Sequence, residues 1–393
     1  MEIINNGRLA QQLLEEAVLR GASDMHVEPM EKDVRIRLRI DGLLQEAARL
    51  PLSCYSPLIT QLKVQGGMDI AEKRVPQDGR WQLACHNRLI DLRLSSLPTI
   101  KGEKMAVRLL DQQHGLLSLE ELALSAENMQ LYRRMYTAPN GLLLITGPTG
   151  SGKTTTLYAT LQALKQEGLN LVTIEDPVEY KLSGINQVAV NRKAGLDFAL
   201  GLRALVRQDP DIIMIGEIRD AETASMAVQA ALTGHLVLST LHTNSAVGAV
   251  VRMLDMGVEP YLLAAALRGV LAQRLVRRLC PQCAFDVVAT VMERSYLAVE
   301  QHTELELRHG RGCELCRGQG YHGRLALQEL FPVDEYMAEL ISANVGRAAL
   351  LSHAQDLGWR SLYEDGRQKA LVGLTTVQEL WRAGIEREER YVH

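Results

Sequence analysis

Gly147-Pro148-Thr149-Gly150-Ser151-Gly152-Lys153-Thr154 sets three glycines ahead of a lysine and a threonine, directly after the apolar run Leu142 to Thr146. Glycines let successive backbone N–H groups converge on an anion, and a helix opening at this point turns its positive end toward the same place. A strand before and a helix after make a G-x-x-x-x-G-K-T match a phosphate-binding loop. Lys153 is then placed to reach the β- and γ-phosphates of ATP, and Thr154 to hold Mg2+ through its hydroxyl. A glycine-rich turn with an incidental lysine would lack the flanking strand and helix.

Carboxylates are expected to face that loop. Asp209-Pro210-Asp211-Ile212-Ile213-Met214-Ile215-Gly216-Glu217 carries acids at both ends of one apolar run. In a parallel α/β sheet only the carboxyl ends of the strands meet the ligand, so Asp211 falls at the wrong end and Glu217 at the right one. Glu217 is the general-base candidate, able to polarise an attacking water or to reach one bound to Mg2+. The run Leu171 to Ile174 delivers Glu175 and Asp176 to the same edge, as second carboxylates near the metal. The run Leu236 to Leu241 delivers His242 there, where an imidazole can bond the γ-phosphate, while His235 sits at the opposite end and reads as structural.

A second chemistry lies in the cysteines. Of the six, Cys280, Cys283, Cys313 and Cys316 form two C-x-x-C pairs separated by 29 residues, wider than a compact zinc ribbon. Two such turns can close one tetrahedral site, and four thiolates favour structural Zn2+ with no open catalytic position. Cys54 and Cys85 lack a paired spacing and read as core thiols.

These groups need a scaffold. The four apolar runs, separated by helical stretches such as Thr154 to Lys165 and Ala221 to Thr233, predict a largely parallel three-layer α/β domain over residues 130–279. Upstream, Leu9, Leu13, Leu14 and Ala17 have helical spacing, whereas Val34 to Ile40 alternates apolar residues with Arg35, Arg37 and Arg39 and turns at Asp41-Gly42. Further strands are expected at Arg80 to Ala84, Leu89 to Leu94 and Met105 to Leu110. The first domain is therefore placed at 1–111, a Gly-, Ser- and Glu-rich linker at 112–129, the cysteine module at 280–325, and a helical region with segments at Met337 to Ile341 and Val377 to Ala383 over 326–393.

With 43 Lys and Arg against 47 Asp and Glu, a net charge of -4 and 47% hydrophobic residues, the chain is neither disordered nor globally basic. Nucleic acid is not an expected direct partner: no aromatic residues interleave the arginine face, which reads as solvated or as lying between subunits. The start lacks the layout of a signal peptide, and the most apolar stretch, Tyr261 to Ala272, is short for a membrane span and carries Arg268. A cytoplasmic location follows as the expectation.

The phosphate loop extended to Thr155, Thr173-Ile174-Glu175-Asp176-Pro177-Val178-Glu179-Tyr180, Gly216-Glu217-Ile218-Arg219-Asp220 and Thr233 to Asn244 together resemble the Walker A, Asp box, Walker B and His box of the type II secretion and type IV pilus assembly ATPases. The resemblance spans residues 20 to 330, through Gly21-Ala22-Ser23-Asp24-Met25-His26-Val27-Glu28-Pro29, Gln77-Asp78-Gly79-Arg80 and the cysteine pairs. It implies a PAS-like α+β amino domain followed by a RecA-like P-loop NTPase domain with a zinc module and helical tail, assembled as a homo-hexamer. It also implies that arginines of the amino domain, here Arg80 and Arg93, act on the nucleotide, and that ATP, Mg2+ and Zn2+ are the cofactors. The implied partners are an inner-membrane platform protein and the pilus or secretion machinery, with peripheral association at the inner face of the membrane. Many members carry an extra amino-terminal domain that docks a membrane-associated partner, whereas this sequence starts almost directly at the PAS-like segment. A nucleic-acid-dependent ring ATPase and a nucleotide-gated scaffold without sustained hydrolysis are the alternative readings.

Overall fold

The computed structural model of the chain describes residues 8–111, 116–300 and 304–387, so residues 112–115 of the expected linker lie outside the described residues. Two units divide the chain, Met1–Gly115 and Leu116–His393.

In the first unit α1 (Leu9–Leu19) precedes β1 (Ala22–Pro29), β2 (Asp33–Ile40) and β3 (Leu43–Pro51); α2 (Tyr55–Gln65), β4 (Gln77–Cys85), β5 (Arg88–Thr99) and β6 (Gly102–Asp111) follow. All six strands form one antiparallel sheet in the order β3-β2-β1-β6-β5-β4. Period-two alternation sends Val34, Ile36 and Leu38 into the core, where Leu14 and Ala17 of α1 and Leu58 and Leu62 of α2 cover them. Asp41 and Gly42 take φ of 49° and 85°, left-handed at both central positions, which lets a two-residue turn set Ile40 opposite Leu43. The arginines on the other face of β2 are paired: Arg35 and Arg37 with the buried Glu28 at 3.0 and 2.7 Å, and Arg39 with Asp24 at 3.6 Å.

The second unit begins within the stretch read as linker. Leu119 and Leu122 are buried against Tyr132 and Tyr136, and α3 (Ala126–Tyr136) starts with Ser125 as its cap, its side chain accepting from Asn128 N. There follow β7 (Gly141–Thr146), α4 (Lys153–Leu164), β8 (Leu171–Glu175), β9 (Asn186–Ala189), α5 (Phe198–Leu205), β10 (Ile212–Ile215), α6 (Ala221–Leu232), β11 (Leu236–Leu241), α7 (Ala246–Asp255), α8 (Pro260–Ala266) and β12 (Leu267–Leu279). The cysteine region carries β13 (Ala284–Val288), α9 (Val291–Tyr296) and β14 (Glu306–Gly310), and β15 (Tyr321–Pro332), α10 (Glu335–Ser342), α11 (Arg347–Asp356), α12 (Leu362–Leu371) and α13 (Val377–Arg382) complete it.

The main sheet runs β15-β12-β7-β11-β10-β8-β9 and is parallel except for β12 against β15. Its central strands read as unbroken apolar runs because both faces are covered. Leu142 and Leu144 of β7 pack with α5, α6 and α7, whereas Leu143 and Ile145 pack with α3 and α4. The region from 326, expected to be helical, begins instead with the second half of β15, and helix starts only at Glu335. Every residue from Leu325 to Phe331 is buried, so this half of the strand shows none of the alternation that would have marked it. Among the described residues no helix is long and apolar enough to cross a membrane.

Candidate functional site

Between the end of β7 at Thr146 and the start of α4 at Lys153 the chain turns through Gly147, Gly150 and Gly152 at φ of 150°, 79° and 88°. Side chains are excluded at both ends of the turn. A Cβ on Gly147 would lie 2.3 Å from the main-chain oxygen of Gln273, and one on Gly152 would lie 2.7 Å from Gln273 Nε2. Lys153 is buried, its Nζ donating to the carbonyls of Gly147 at 2.7 Å and Pro148 at 3.1 Å. Burial lowers its pKa to about 8, against the opposing pull of the Glu217 carboxylate. The loop thus holds a desolvated ammonium on two weak neutral acceptors, which a phosphate can outbid.

Glu217 follows β10 and His242 follows β11, and the sheet brings them together: His242 Nε2 lies 3.3 Å from Glu217 Oε2, while Arg219 pairs with Oε1. Their backbone is fixed by the neighbouring strand, since Thr240 Oγ1 donates to Gly216 O at 2.7 Å and Ile218 N donates to Thr240 O at 3.0 Å. Thr243 N donates to Thr146 Oγ1 at 2.9 Å, tying the segment after β11 to the strand that feeds the glycine loop. Asp211 and His235 lie at the other end of the sheet. There Asp211 Oδ2 accepts from Asn170 N at 2.7 Å and the His235 carbonyl accepts from Gly141 N at 3.1 Å.

Glu175 ends β8 on the same edge as Glu217, but its side chain is buried and occupied. Its carboxylate accepts from the hydroxyls of Tyr158 and of Thr173, the latter at 2.6 Å, and from Gln187 Nε2 at 3.1 Å. Asp176 pairs with Arg192 at 3.1 Å. The structure therefore groups Gly147 to Thr155 with Glu217 and His242, and sets Glu175 in a polar pocket with Tyr158. Two participants, Tyr158 and Gln273, escaped the sequence reading. Gln273 had a signal, as the one amide in the run Val270-Leu271-Ala272-Gln273; Tyr158 had none beyond its place on the expected helix.

Arg80 and Arg93 belong to the first unit and face each other across β4 and β5; the row continues through Arg108 on β6, Asp24 on β1 and Arg39 on β2. Arg80, Arg93, Arg108 and Asp24 line a cavity of about 390 Å³. Arg108 and Asp24 are 3.5 Å apart.

The four cysteines converge. Their sulfurs all lie within 4.8 Å of one another, with Cys280 to Cys313 at 3.8 Å and Cys316 at 3.7 Å from both Cys283 and Cys313. Tetrahedral ligands at about 2.3 Å from Zn2+ stand roughly 3.8 Å apart, so the donor set fits the ion in number, softness and spacing. Burial raises a thiol's pKa, yet the N–H groups of Cys313 and Gly320, donating to Cys316 Sγ at 3.1 and 3.2 Å, bring it down to about 6. Cys54 and Cys85 are buried in the core of the first unit.

Comparison with known proteins identifies the family of the chain. Residues 4–382 match the family described as Type II/IV secretion system protein. The chain is 48% identical over 382 residues to the type II secretion system protein E of Pseudomonas aeruginosa, covering 97% of this chain and 76% of that one. It is 46% identical over 381 residues to the type IV pilus assembly ATPase PilB of Thermus thermophilus, covering 96% of this chain and 43% of that one. Among solved structures, the Legionella pneumophila ATPase DotB has the same fold, with a TM-score of 0.70, 21% identity and 96% of each chain covered.

Proposed function

The chain belongs to the type II/IV secretion system protein family, and on that premise we propose that it is an Mg2+-dependent ATPase motor powering assembly of pilin-like subunits in type II secretion or type IV pilus biogenesis. The observation that carries the reading is the buried Lys153 in its glycine turn, lying in the field of Glu217 at the carboxyl ends of the strands. Such an edge is where an open α/β sheet binds its ligand.

In this reading a triphosphate draws Lys153 off the carbonyls of Gly147 and Pro148, and the loop N–H groups and the start of α4 take up the phosphate oxygens. Thr154 would hold Mg2+, which when bound would neutralise phosphate charge. Glu217 acts as general base: one of its oxygens exchanges Arg219 or His242 for the attacking water and takes its proton. His242, next to that carboxylate, contacts the γ-phosphate. Glu175 would join the metal site as a second carboxylate by giving up one of the hydrogen bonds from Tyr158, Thr173 or Gln187 that occupy it. Arg80 and Arg93 supply planar cations that neutralise charge developing on the transferred phosphoryl oxygens.

We further infer a PAS-like first unit, a RecA-like second unit, a homo-hexameric working form, a cytoplasmic position against the inner face of the membrane, and an inner-membrane platform protein as the immediate partner. Zn2+ would be held by Cys280, Cys283, Cys313 and Cys316 and would pin the turn after β12 to the turn before β15. Phosphate release from Mg-ATP by the purified chain, compared with Lys153→Ala, tests the proposal. Turnover in the parent and loss of both turnover and calorimetric ATP binding in the variant are expected; a variant that still binds ATP like the parent would overturn it.

A further inference from the structure

Gln273 sits in β12, between Ala272, which pairs with Thr146 of β7, and a cross-strand partner in Gln328 of β15. It is 2% exposed, so its amide must find partners inside the protein. Both of its side-chain hydrogen bonds go to the phosphate loop and the helix after it. Nε2 donates to Ser151 O at 2.7 Å, and Oε1 accepts from Thr156 Oγ1 at 2.8 Å. Its main-chain oxygen fills the space that a side chain on Gly147 would need, and its Nε2 fills the corresponding space at Gly152. One residue thus bounds the loop at both ends. Thr156 is anchored in turn: its carbonyl accepts from Thr160 Oγ1 at 2.8 Å, and that hydroxyl bonds Tyr132 OH at 2.6 Å.

The two halves of the loop are held by different means. The front half, through the carbonyls of Gly147 and Pro148, is held by Lys153, whose bonds must be given up when a phosphate arrives. The helix-side half, Ser151 and Gly152 with the first turn of α4, is held by Gln273, whose bonds need not change. We propose that Gln273 is the positioning residue of the phosphate loop, pinning its helix-side half to β12 so that only Gly147 to Gly150 rearranges when nucleotide draws Lys153 away. The proposal deepens the ATPase reading and rests on it. Gln273 touches no reacting atom; it acts by keeping the N–H groups of the loop aimed at one point before the ligand is present, which spares binding the cost of ordering them.

The test uses the full chain with Gln273→Leu, Thr156→Val and the double variant. ATP and ADP dissociation constants are measured by calorimetry with Mg2+, alongside phosphate release and thermal melting. Each single change should weaken ATP binding by about tenfold, the effect of one to two lost hydrogen bonds. The double variant should be no weaker than the worse single one, because both remove the same clamp. A glutamine that merely fills the core would instead lower the melting temperature and leave the dissociation constants of the folded protein unchanged; that result overturns the proposal. Should Gln273→Leu fail to fold, Thr156→Val decides alone, since at nearly constant shape it removes the 2.8 Å bond to Gln273 together with the weaker 3.3 Å contact of the same hydroxyl with Gly152 O. If the parent chain binds no ATP, the underlying reading falls; if it binds and the variants match it, only the role of Gln273 does.

Discussion

Lys153 offers a quantitative handle on the nucleotide site through pH. An exposed lysine titrates near 10.5, but burial in the glycine loop brings Lys153 down to about 8 even with Glu217 pulling the other way. The ammonium binds a triphosphate, the neutral amine does not, and the bound phosphates raise the lysine's pKa well above its value in the free protein. Binding is therefore at full strength below about pH 8 and takes up a proton above it, so affinity is lost as pH rises. With a free pKa of about 8 the dissociation constant scales as one plus the neutral-to-charged ratio, about twofold weaker at pH 8 and about tenfold weaker at pH 9 than at pH 6.5. Calorimetry in two buffers of different ionisation enthalpy reads both the affinity and the proton count. Proton uptake should be absent at pH 7 and approach one per ATP at pH 9. In Glu217→Gln, which removes the opposing charge, the break should move to lower pH. Equal affinities at pH 7 and 9 with no proton uptake would refute the placement of Lys153 as a desolvated phosphate ligand.

The cysteine cluster should hold about one Zn2+ per chain, and chelation should lower the melting temperature and expose four thiols to a colorimetric reagent; a metal-free protein with unchanged melting would contradict the site. Glu379 of α13 is buried and accepts from Arg277 N and Nη2 at 2.9 and 2.6 Å and from Arg382 Nε and Nη2 at 2.8 and 2.7 Å. Burial alone would raise its pKa, but Arg382 and Arg277 hold it at about 2, so its contribution is present above the ordinary carboxylate range and lost as pH falls toward 2. Glu379→Gln should cost about 3 kcal/mol of stability near neutral pH, measured by urea unfolding, because it leaves the mostly buried Arg277 without a counter-charge; a loss below about 1 kcal/mol would show the pair to be dispensable.

Much of this site was legible from residue order because strand direction does the sorting. Asp211 and Glu217 flank the same four apolar residues, and a parallel sheet sends one to each end; the structure puts Asp211 on Asn170 and Glu217 beside His242. Asp41-Gly42 and the alternation in β2 were equally direct, since a turn and a half-buried strand each leave a local pattern. The pairing of β12 with β15 left none. Their residues are separated by the whole cysteine module, and the stretches Gly269 to Gln273 and Leu325 to Phe331 are buried on both faces, so neither shows an alternation that would tell strand from helix. Gln273 and Tyr158 were hidden for a related reason: each works through a contact with a residue brought near only by the finished sheet. The occupied carboxylate of Glu175 belongs to the same class, because sequence gives the edge on which an acid lies but not the hydroxyls that reach it.

The central claim, that a triphosphate gripped by the glycine loop is confronted by the carboxylate of Glu217, is tested most directly by comparing Glu217→Gln with the parent in single-turnover phosphate release and in ATP binding. The account predicts an ATP dissociation constant within about threefold of the parent and phosphate release at least about a hundredfold slower, the loss expected of a general base. Parent-like release from the variant would contradict it.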